Sequence, residues 1–228
     1  MLADLTQSRA AAAYAVLVEI ERLAALLASA SALTDRISLA EAIAQRHVYF
    51  RGVLDRLAAQ DPQQPLATAA PALDDARRRI EPGDWWEGLA AIALFAPLTD
   101  ELFAALTSGE ADVSGAARTA VEADAADVAS VDVELGDAVL ADTASEAGGD
   151  SEVGDTAPDA AALWAVERLR PAIDADPVLA ARMALWGRRL VGEAIVLARV
   201  FGGERYRELA DRLAVRHARR LDELGLAG

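Results

Sequence analysis

The stretch that decides the fold is AIAQRHVYFRGVLDRL, residues 42 to 57. Its apolar side chains recur three, four or seven positions apart, at Ile43, Phe50, Leu54 and Leu57. Spacing of this kind indicates one face of an α-helix packed against a core. His47, one of the two histidines in the chain, falls on the same stripe. The sequence therefore predicts a helix with His47 on its apolar side.

Flanking segments predict further helices. We expect the first helix from about Leu5 to Ala30, then a turn at residues 34–36. Ser38-Leu-Ala-Glu41 has the pattern of a capping box and would open the second helix, which should last to about Ala59. Residues 60–83 contain four prolines, so a long connection is expected there, with at most a short helix near its end.

The second half of the chain also shows helix signals. Asp84-Trp-Trp-Glu87 is another capping box, and Pro97 is expected to kink or break the helix that it opens. Asp176-Pro177 marks a later start. Gly202-Gly203 separates a final helix that should end at Gly225. Six or so helices without a convincing strand predict an all-α helical bundle.

Composition narrows the class of protein. The chain has 228 residues, of which 54% are hydrophobic and 5% aromatic, a mixture that favours helices over sheets. There is no cysteine, which excludes disulfides, thiolate metal sites and thiol catalysis. Asp4 and Arg9 interrupt the start, and no uncharged apolar run approaches the roughly 20 residues of a membrane span. We expect a cytoplasmic protein that does not enter a membrane.

The net charge of −15 is concentrated in one segment. Residues 110–160 contain 14 acids and one arginine, and a helix is conceivable at residues 121–140. Residues 143–161 have the composition of a disordered acidic insertion. We therefore predict a single domain over residues 1–228, interrupted by an acidic low-complexity segment at about 143–161.

Helical bundles build metal sites from inward glutamates and Glu-x-x-His pairs, because positions i and i+3 share a helix face. Both histidines lack that carboxylate: His47 follows Ala44, and His217 follows Ala214. A hydrogen-bonded core histidine is the alternative to a ligand at His47.

Two glutamates lie on or beside apolar stripes and are further candidates for metal ligands. Glu193 falls on the stripe Trp186, Leu190, Leu197 and Val200, and Glu19 borders the stripe of the first helix. Glutamate is rarely buried without a partner. A salt bridge to a neighbouring arginine, with Arg22, Arg188 and Arg189 at hand, is the structural alternative at both positions.

Other catalytic signatures are missing, and the charge pattern adds one more candidate. There is no glycine-rich phosphate loop and no visible nucleophile elbow. Residues 182–220 contain ten arginines and four acids, which could bind an anion such as RNA phosphate. The alternative is a solvated face whose charges pair within the helices.

Four segments in order carry a resemblance to a known family: LTDRISLAEAIA (33–44), GDWWEGL (83–89), DPVLAARMALWGRRLVGEA (176–194) and RHARRLDELGL (216–226). They resemble an actinobacterial-type ferritin-like protein, a group similar to the MiaE-like tRNA 2-methylthio-isopentenyl-adenosine hydroxylases. The resemblance covers most of the chain except roughly residues 107–160. It implies a ferritin-like bundle in which glutamates and Glu-x-x-His pairs hold two irons that activate oxygen.

This chain departs from the implied ligand set. The second helix reads Ala44-Gln-Arg-His47 in one register and Arg46-His-Val-Tyr49 in the other, without a glutamate in either. Glu193 matches the acid of the GRRLVGEA motif, and Glu19, or less well Glu21, would serve from the first helix. The resemblance thus leaves Glu19, His47, Glu193 and His217 as remnants of a metal site.

Three functions follow as hypotheses. The first is a ferritin-like bundle without a complete diiron site, which acts as a binding or structural protein, needs no cofactor and is not an enzyme. The second is an iron-dependent hydroxylase, with a tRNA base as substrate. The third is a helical interaction domain whose acidic loop binds a protein partner. The sequence leaves a homodimer open.

Overall fold

The computed structural model describes residues 2–57, 63–108 and 160–226, and every regular element in these ranges is helical. The helices are α1 (Leu2–Ser29), α2 (Leu33–Leu57), α3 (Gln63–Arg79), α4 (Trp85–Ala90, continued through a π-helical turn at Ala91–Phe95 and then Ala96–Ser108), α5 (Ala160–Ala175), α6 (Pro177–Phe201) and α7 (Tyr206–Glu223). A 3₁₀ turn at Gly203–Arg205 precedes α7. The predicted all-α fold is confirmed.

The described helices lie in one compact unit, apart from Ser108 at the end of α4. This unit comprises Met1–Thr107 and Pro158–Gly228, and the second unit is Ser108–Ala157. The predicted helix at 121–140 lies outside the described residues, as does the predicted acidic insertion at 143–161 up to residue 159. The division of the chain predicted from the sequence stays a prediction.

Helix α4 forms the centre of the bundle. Each residue from Ala91 to Thr99 is buried, and α5 packs against the π-helical turn. Helix α1 packs against α2 and α3, and α6 packs against α7. By length and composition alone, Trp85–Thr107 could cross a membrane, with a mean hydropathy of 1.7, but 78% of its apolar window is buried inside the bundle. That burial is what a core helix shows.

Pro97 does not end α4, so of the predicted kink or break the break is wrong. In a regular α-helix its ring would clash with the carbonyl group four residues earlier. The π-helical turn at Ala91–Phe95 comes immediately before it, and the amide of Ala96 donates to the carbonyl of Ala91. Such a turn widens the helix by one residue, and α4 continues to Ser108.

Two predicted helix starts are confirmed by their capping hydrogen bonds. The Asp84 carboxylate accepts from the Glu87 amide at 2.9 Å. The Asp176 carboxylate accepts from the amides of Val178 and Leu179 at 2.9 and 3.2 Å. Each aspartate satisfies amide groups that the first helical turn leaves without a partner.

Two predicted boundaries are wrong. The expected turn at residues 34–36 belongs to α2, which starts at Leu33, so the Ser38 capping box lies inside the helix. Asp35 is buried there and pairs with Arg168 of α5, a long-range contact that the local pattern does not reveal. The expected connection at 60–83 contains the 17-residue helix α3, whose buried side packs on α1.

Candidate functional site

On helix α2, the residue that points into the bundle is Arg46, not His47. Its buried residues are Asp35, Leu39, Ala42, Arg46, Val53 and Leu57. His47 is the next residue, about 100° further round the helix, and its side chain is exposed. The predicted position of His47 on the packed face is therefore wrong. The prediction used hydropathy, which assigns an arginine to the surface, so it did not place Arg46 on the packed face.

Arg46 forms the centre of an ion cluster that joins three helices. Its Nε donates to Oε1 of Glu19 on α1 at 2.9 Å, and its Nη2 donates to Oδ2 of Asp100 on α4 at 2.7 Å. The side chains of Arg46 and Glu19 are 11% and 6% exposed, and that of Asp100 is 28% exposed. Charge-assisted hydrogen bonds of this geometry are stronger than neutral ones. We call these three residues the Arg46 cluster.

Tyr49 lies three positions after Arg46 on the same helix, and the charges of the Arg46 cluster affect the pKa of its phenol. Burial raises the pKa of the Tyr49 phenol, and the negative charge of Asp100 raises that pKa further. The phenol therefore stays neutral at physiological pH. In the second of the two predicted alignments, Arg46…Tyr49, the first position is buried and the second, Tyr49, is 37% exposed.

Glu19 and Glu193 both form salt bridges to an arginine, but the predicted partners are wrong. Glu193 accepts from Arg79 of α3, whose Nε lies 2.8 Å from both carboxylate oxygens. Glu19 pairs with Arg46 rather than Arg22. On the predicted Glu193 stripe, Val200 is 55% exposed, although the three other apolar side chains are buried. Glu21, the weaker alternative on α1, is exposed and pairs with Arg77.

His217 is the second buried histidine candidate, and the structure does bury it. Its side chain is 5% exposed and lies in α7 beside Gly187 of α6. Neither ring nitrogen has a hydrogen-bond partner within the described part of the chain. Burial lowers the pKa of the imidazole, so the ring is neutral at pH 7.

The four predicted ligands do not assemble into a metal site. Within residues 2–57, 63–108 and 160–226, no group of three or more His, Asp or Glu side chains could hold a metal ion. The diiron centre that the resemblance implies needs carboxylates and imidazoles around the metal. Arg46 stands instead of a glutamate in that register and already binds Glu19 and Asp100. The side chains that the structure describes do not present such a set of ligands.

The ten arginines of residues 182–220 include side chains with an ion pair and side chains without one in the described ranges. In α7, Arg212 and Arg216 lie 3.7 and 3.0 Å from the carboxylate of Glu101. A second group lies exposed on α6 and has no ion pair within the described ranges: Arg188, Arg189 and Arg199. The predicted pairing within a helix is seen at Arg219 and Arg220, which both pair with Glu223 of α7, and positive charge without an ion pair in the described ranges remains on α6.

Sequence reasoning missed Arg46 and Asp100 as members of a buried cluster and Arg22 as a buried cation. A signal for Arg46 was present, since it occupies the glutamate position of the second register. Arg22 lies one turn after Glu19, on the same side of α1. No local pattern indicates Asp100, because its partner is 54 residues away in the chain.

One family model matches the chain, described as a ferritin-like domain of actinomycetes, over residues 151–217. The matched range includes α5, α6 and α7 as far as His217, less than a third of the chain. No curated protein matches the sequence. With the helical architecture, the match gives the chain an all-α, ferritin-like fold.

Proposed function

We propose that this chain is a ferritin-like scaffold without a working diiron centre, and that it acts as a binding or structural protein. One observation carries the proposal: the guanidinium of Arg46 lies between the carboxylates of Glu19 and Asp100. This is the register in which the resemblance to MiaE-like hydroxylases implies a ligand glutamate. The chain supplies its own cation at that place.

Electrostatics explains why the Arg46 cluster and an iron pair exclude each other. Iron would need the Glu19 carboxylate, which now accepts a hydrogen bond from Arg46. Displacing the guanidinium would take the Glu19 counter-charge from a buried arginine, and breaking a buried pair typically costs about 3–5 kcal/mol. A positive group beside the ligands would also repel a second cation.

The test is iron retention after anaerobic reconstitution with ferrous iron and desalting, measured by mass spectrometry. We expect no stoichiometric iron in the wild-type chain. Retention of about two irons per chain, lost in Glu19→Ala and Glu193→Ala but kept in the exposed control Glu41→Ala, would overturn the proposal. The iron-dependent hydroxylase would then be the better-supported function, with iron as its cofactor.

A gain-of-function variant sharpens this test. Arg46→Glu combined with Tyr49→His restores Glu-x-x-His in the register whose first position, Arg46, is buried in the bundle. If this register is the relevant one, the double variant should retain more iron than the wild type. The matched control, Ala44→Glu, completes Glu-x-x-His with the exposed His47 and should not retain iron inside the bundle.

A tRNA-modifying hydroxylase remains the second candidate, and one observation favours a polyanionic partner. Arg188, Arg189 and Arg199 are exposed on α6 and have no ion pair within the described ranges. If they contact phosphates, tRNA binding should weaken as salt rises. It should also weaken in the triple Gln variant of these arginines, but not in Arg78→Gln, whose arginine pairs with Asp75.

The third candidate, an interaction domain that uses the acidic segment, rests on the composition of residues 110–160. A pull-down with and without residues 144–160 tests it. Loss of a protein partner on deletion would favour this function, and an unchanged partner would leave the bundle itself as the binding surface.

A further inference from the structure

A small cavity lies inside the bundle, where α1, α3 and α6 meet the π-helical turn of α4. Its volume is about 20 Å³, which is enough for one water molecule or a monatomic ion. Most of its wall is apolar. The polar side chains that line it are Glu19, Arg22, Arg77 and Thr99.

Arg22 contributes donors to this cavity that nothing in the described part of the chain satisfies. Its Nε and Nη2 are buried and have no hydrogen-bond partner there. The face of the guanidinium lies 5.2 Å from the ring centre of Phe95, which stabilises the charge but leaves the edge unpaired. Buried polar groups are nearly always hydrogen-bonded, so this edge requires a partner.

The other polar groups of the wall already have partners. Oε1 of Glu19 accepts from Arg46, and Arg77 pairs with Glu21. The Thr99 hydroxyl donates to the Ala96 carbonyl at 2.8 Å. The missing partner of Arg22 therefore has to come from outside the described side chains.

The charges around Arg22 favour a negative partner. Burial and, to a lesser extent, repulsion from Arg77 lower the pKa of its guanidinium, and the weaker attraction to Glu19 leaves that pKa at about 10. Arg22 therefore carries its charge at physiological pH, and the charge of Arg77 affects it more strongly than the charge of Glu19 does. A neutral water could accept one hydrogen bond, but it would add no counter-charge to that of Glu19.

We propose that this cavity binds one monatomic anion of chloride size, held by Nε and Nη2 of Arg22. The small volume favours a single small ion. The proposal does not depend on whether the chain binds iron.

Two measurements test the site. The first is urea unfolding of the full chain in sodium chloride and in sodium gluconate at equal ionic strength, since gluconate is too large for the cavity. A ligand that binds the folded state alone raises stability with its concentration. We expect the urea midpoint of the wild-type chain to rise with chloride, the rise to vanish in Arg22→Met, and Arg78→Met, whose arginine does not line the cavity, to keep it.

The second measurement is anomalous diffraction from crystals of the wild-type chain grown in bromide. We expect one bromide peak within hydrogen-bond distance of both Arg22 nitrogens. No chloride-dependent shift, a shift that persists in Arg22→Met, or a water in the cavity instead of bromide would each overturn the proposal. The bromide experiment uses the wild-type chain, so it stands even if Arg22→Met does not fold.

Discussion

Arg46 and Arg22 enter the same bundle from neighbouring helices, and their surroundings differ. Arg46 binds the carboxylates of Glu19 and Asp100, which come from two other helices. Arg22 has the ring of Phe95 on one face, and its Nε and Nη2 have no hydrogen-bond partner within the described residues. One buried cation is therefore balanced by the chain itself, whereas the other has a cavity beside its free edge.

The difference separates two ways in which a helical bundle can hold a positive charge. An arginine hardly loses its proton, so burial must be offset by a counter-charge or by a ligand. In the Arg46 cluster the counter-charges are fixed by the fold and join α1, α2 and α4. At Arg22 the offset is exchangeable, since it would come from solution.

The largest effect should come from removing the cation of the Arg46 cluster. Arg46→Met removes the guanidinium that pairs with the carboxylate of Glu19, a residue that is 5% exposed. We expect a loss of about 3–5 kcal/mol in the free energy of unfolding, measured by urea denaturation. Arg51→Met, an exposed arginine in the same helix, should change it by no more than about 0.5 kcal/mol.

A double variant shows whether the loss comes from the stranded charge. Glu19→Leu combined with Arg46→Met removes both buried ions and leaves Asp100, whose side chain is 28% exposed and can be hydrated. Most of the lost stability should return, because apolar side chains can replace a buried ion pair at little cost. A double variant as unstable as Arg46→Met would show that packing, rather than charge, is lost.

The next largest effect on stability concerns His217, a buried side chain that can lose its proton and become neutral. Burial lowers the pKa of His217 in the folded chain. As the pH falls below the unfolded value of about 6.5, the unfolded chain takes up a proton first. Stability should therefore be complete above that pH and should decline below it, by at most about 1.4 kcal/mol per pH unit for this one proton.

His217→Leu isolates this contribution. The variant should be less sensitive to acid than the wild type below pH 6.5, in urea unfolding followed at several pH values. Leu213→Met, one turn earlier on the buried side of α7, should keep the wild-type slope. Equal slopes in His217→Leu and the wild type would mean that the imidazole is protonated equally in both states.

The fold was largely predictable from the sequence because local signals decide it. The capping aspartates Asp84 and Asp176 start helices where expected. A glycine with a φ of 54° at position 203 fits the predicted break. The failures came where distant contacts overrule local pattern, as at Asp35, which pairs with Arg168 across 133 residues.

The candidate site was less predictable, because its key residues are charged and their partners are remote. A stripe of apolar residues placed His47 inside, whereas an ion cluster placed Arg46 there. Periodicity did identify Glu19 and Glu193 as acids that need partners, and both have arginines. Which arginine meets which acid depends on how the helices pack, and no spacing within one helix contains that information.

The smallest expected effect tests how much the contact with the Phe95 ring stabilises the charge of Arg22. Its ring lies 5.2 Å from the Arg22 guanidinium. Phe95→Leu should cost about 1 kcal/mol more in the wild-type chain than in an Arg22→Met background, since only the former loses the cation–π contact. Urea unfolding of the four chains, in gluconate to keep the cavity free of chloride, gives this coupling energy.

The control for this cycle is Phe103, which is buried in the same helix and packs edge-on against Phe201 at 5.6 Å. Phe103→Leu should cost the same with and without Arg22, because its ring contacts an aromatic neighbour rather than the cation. Zero coupling at Phe95 would mean that the ring offsets none of the buried charge. Arg22 would then depend on an anion in the cavity even more strongly, and the chloride dependence of the wild-type chain should be correspondingly large.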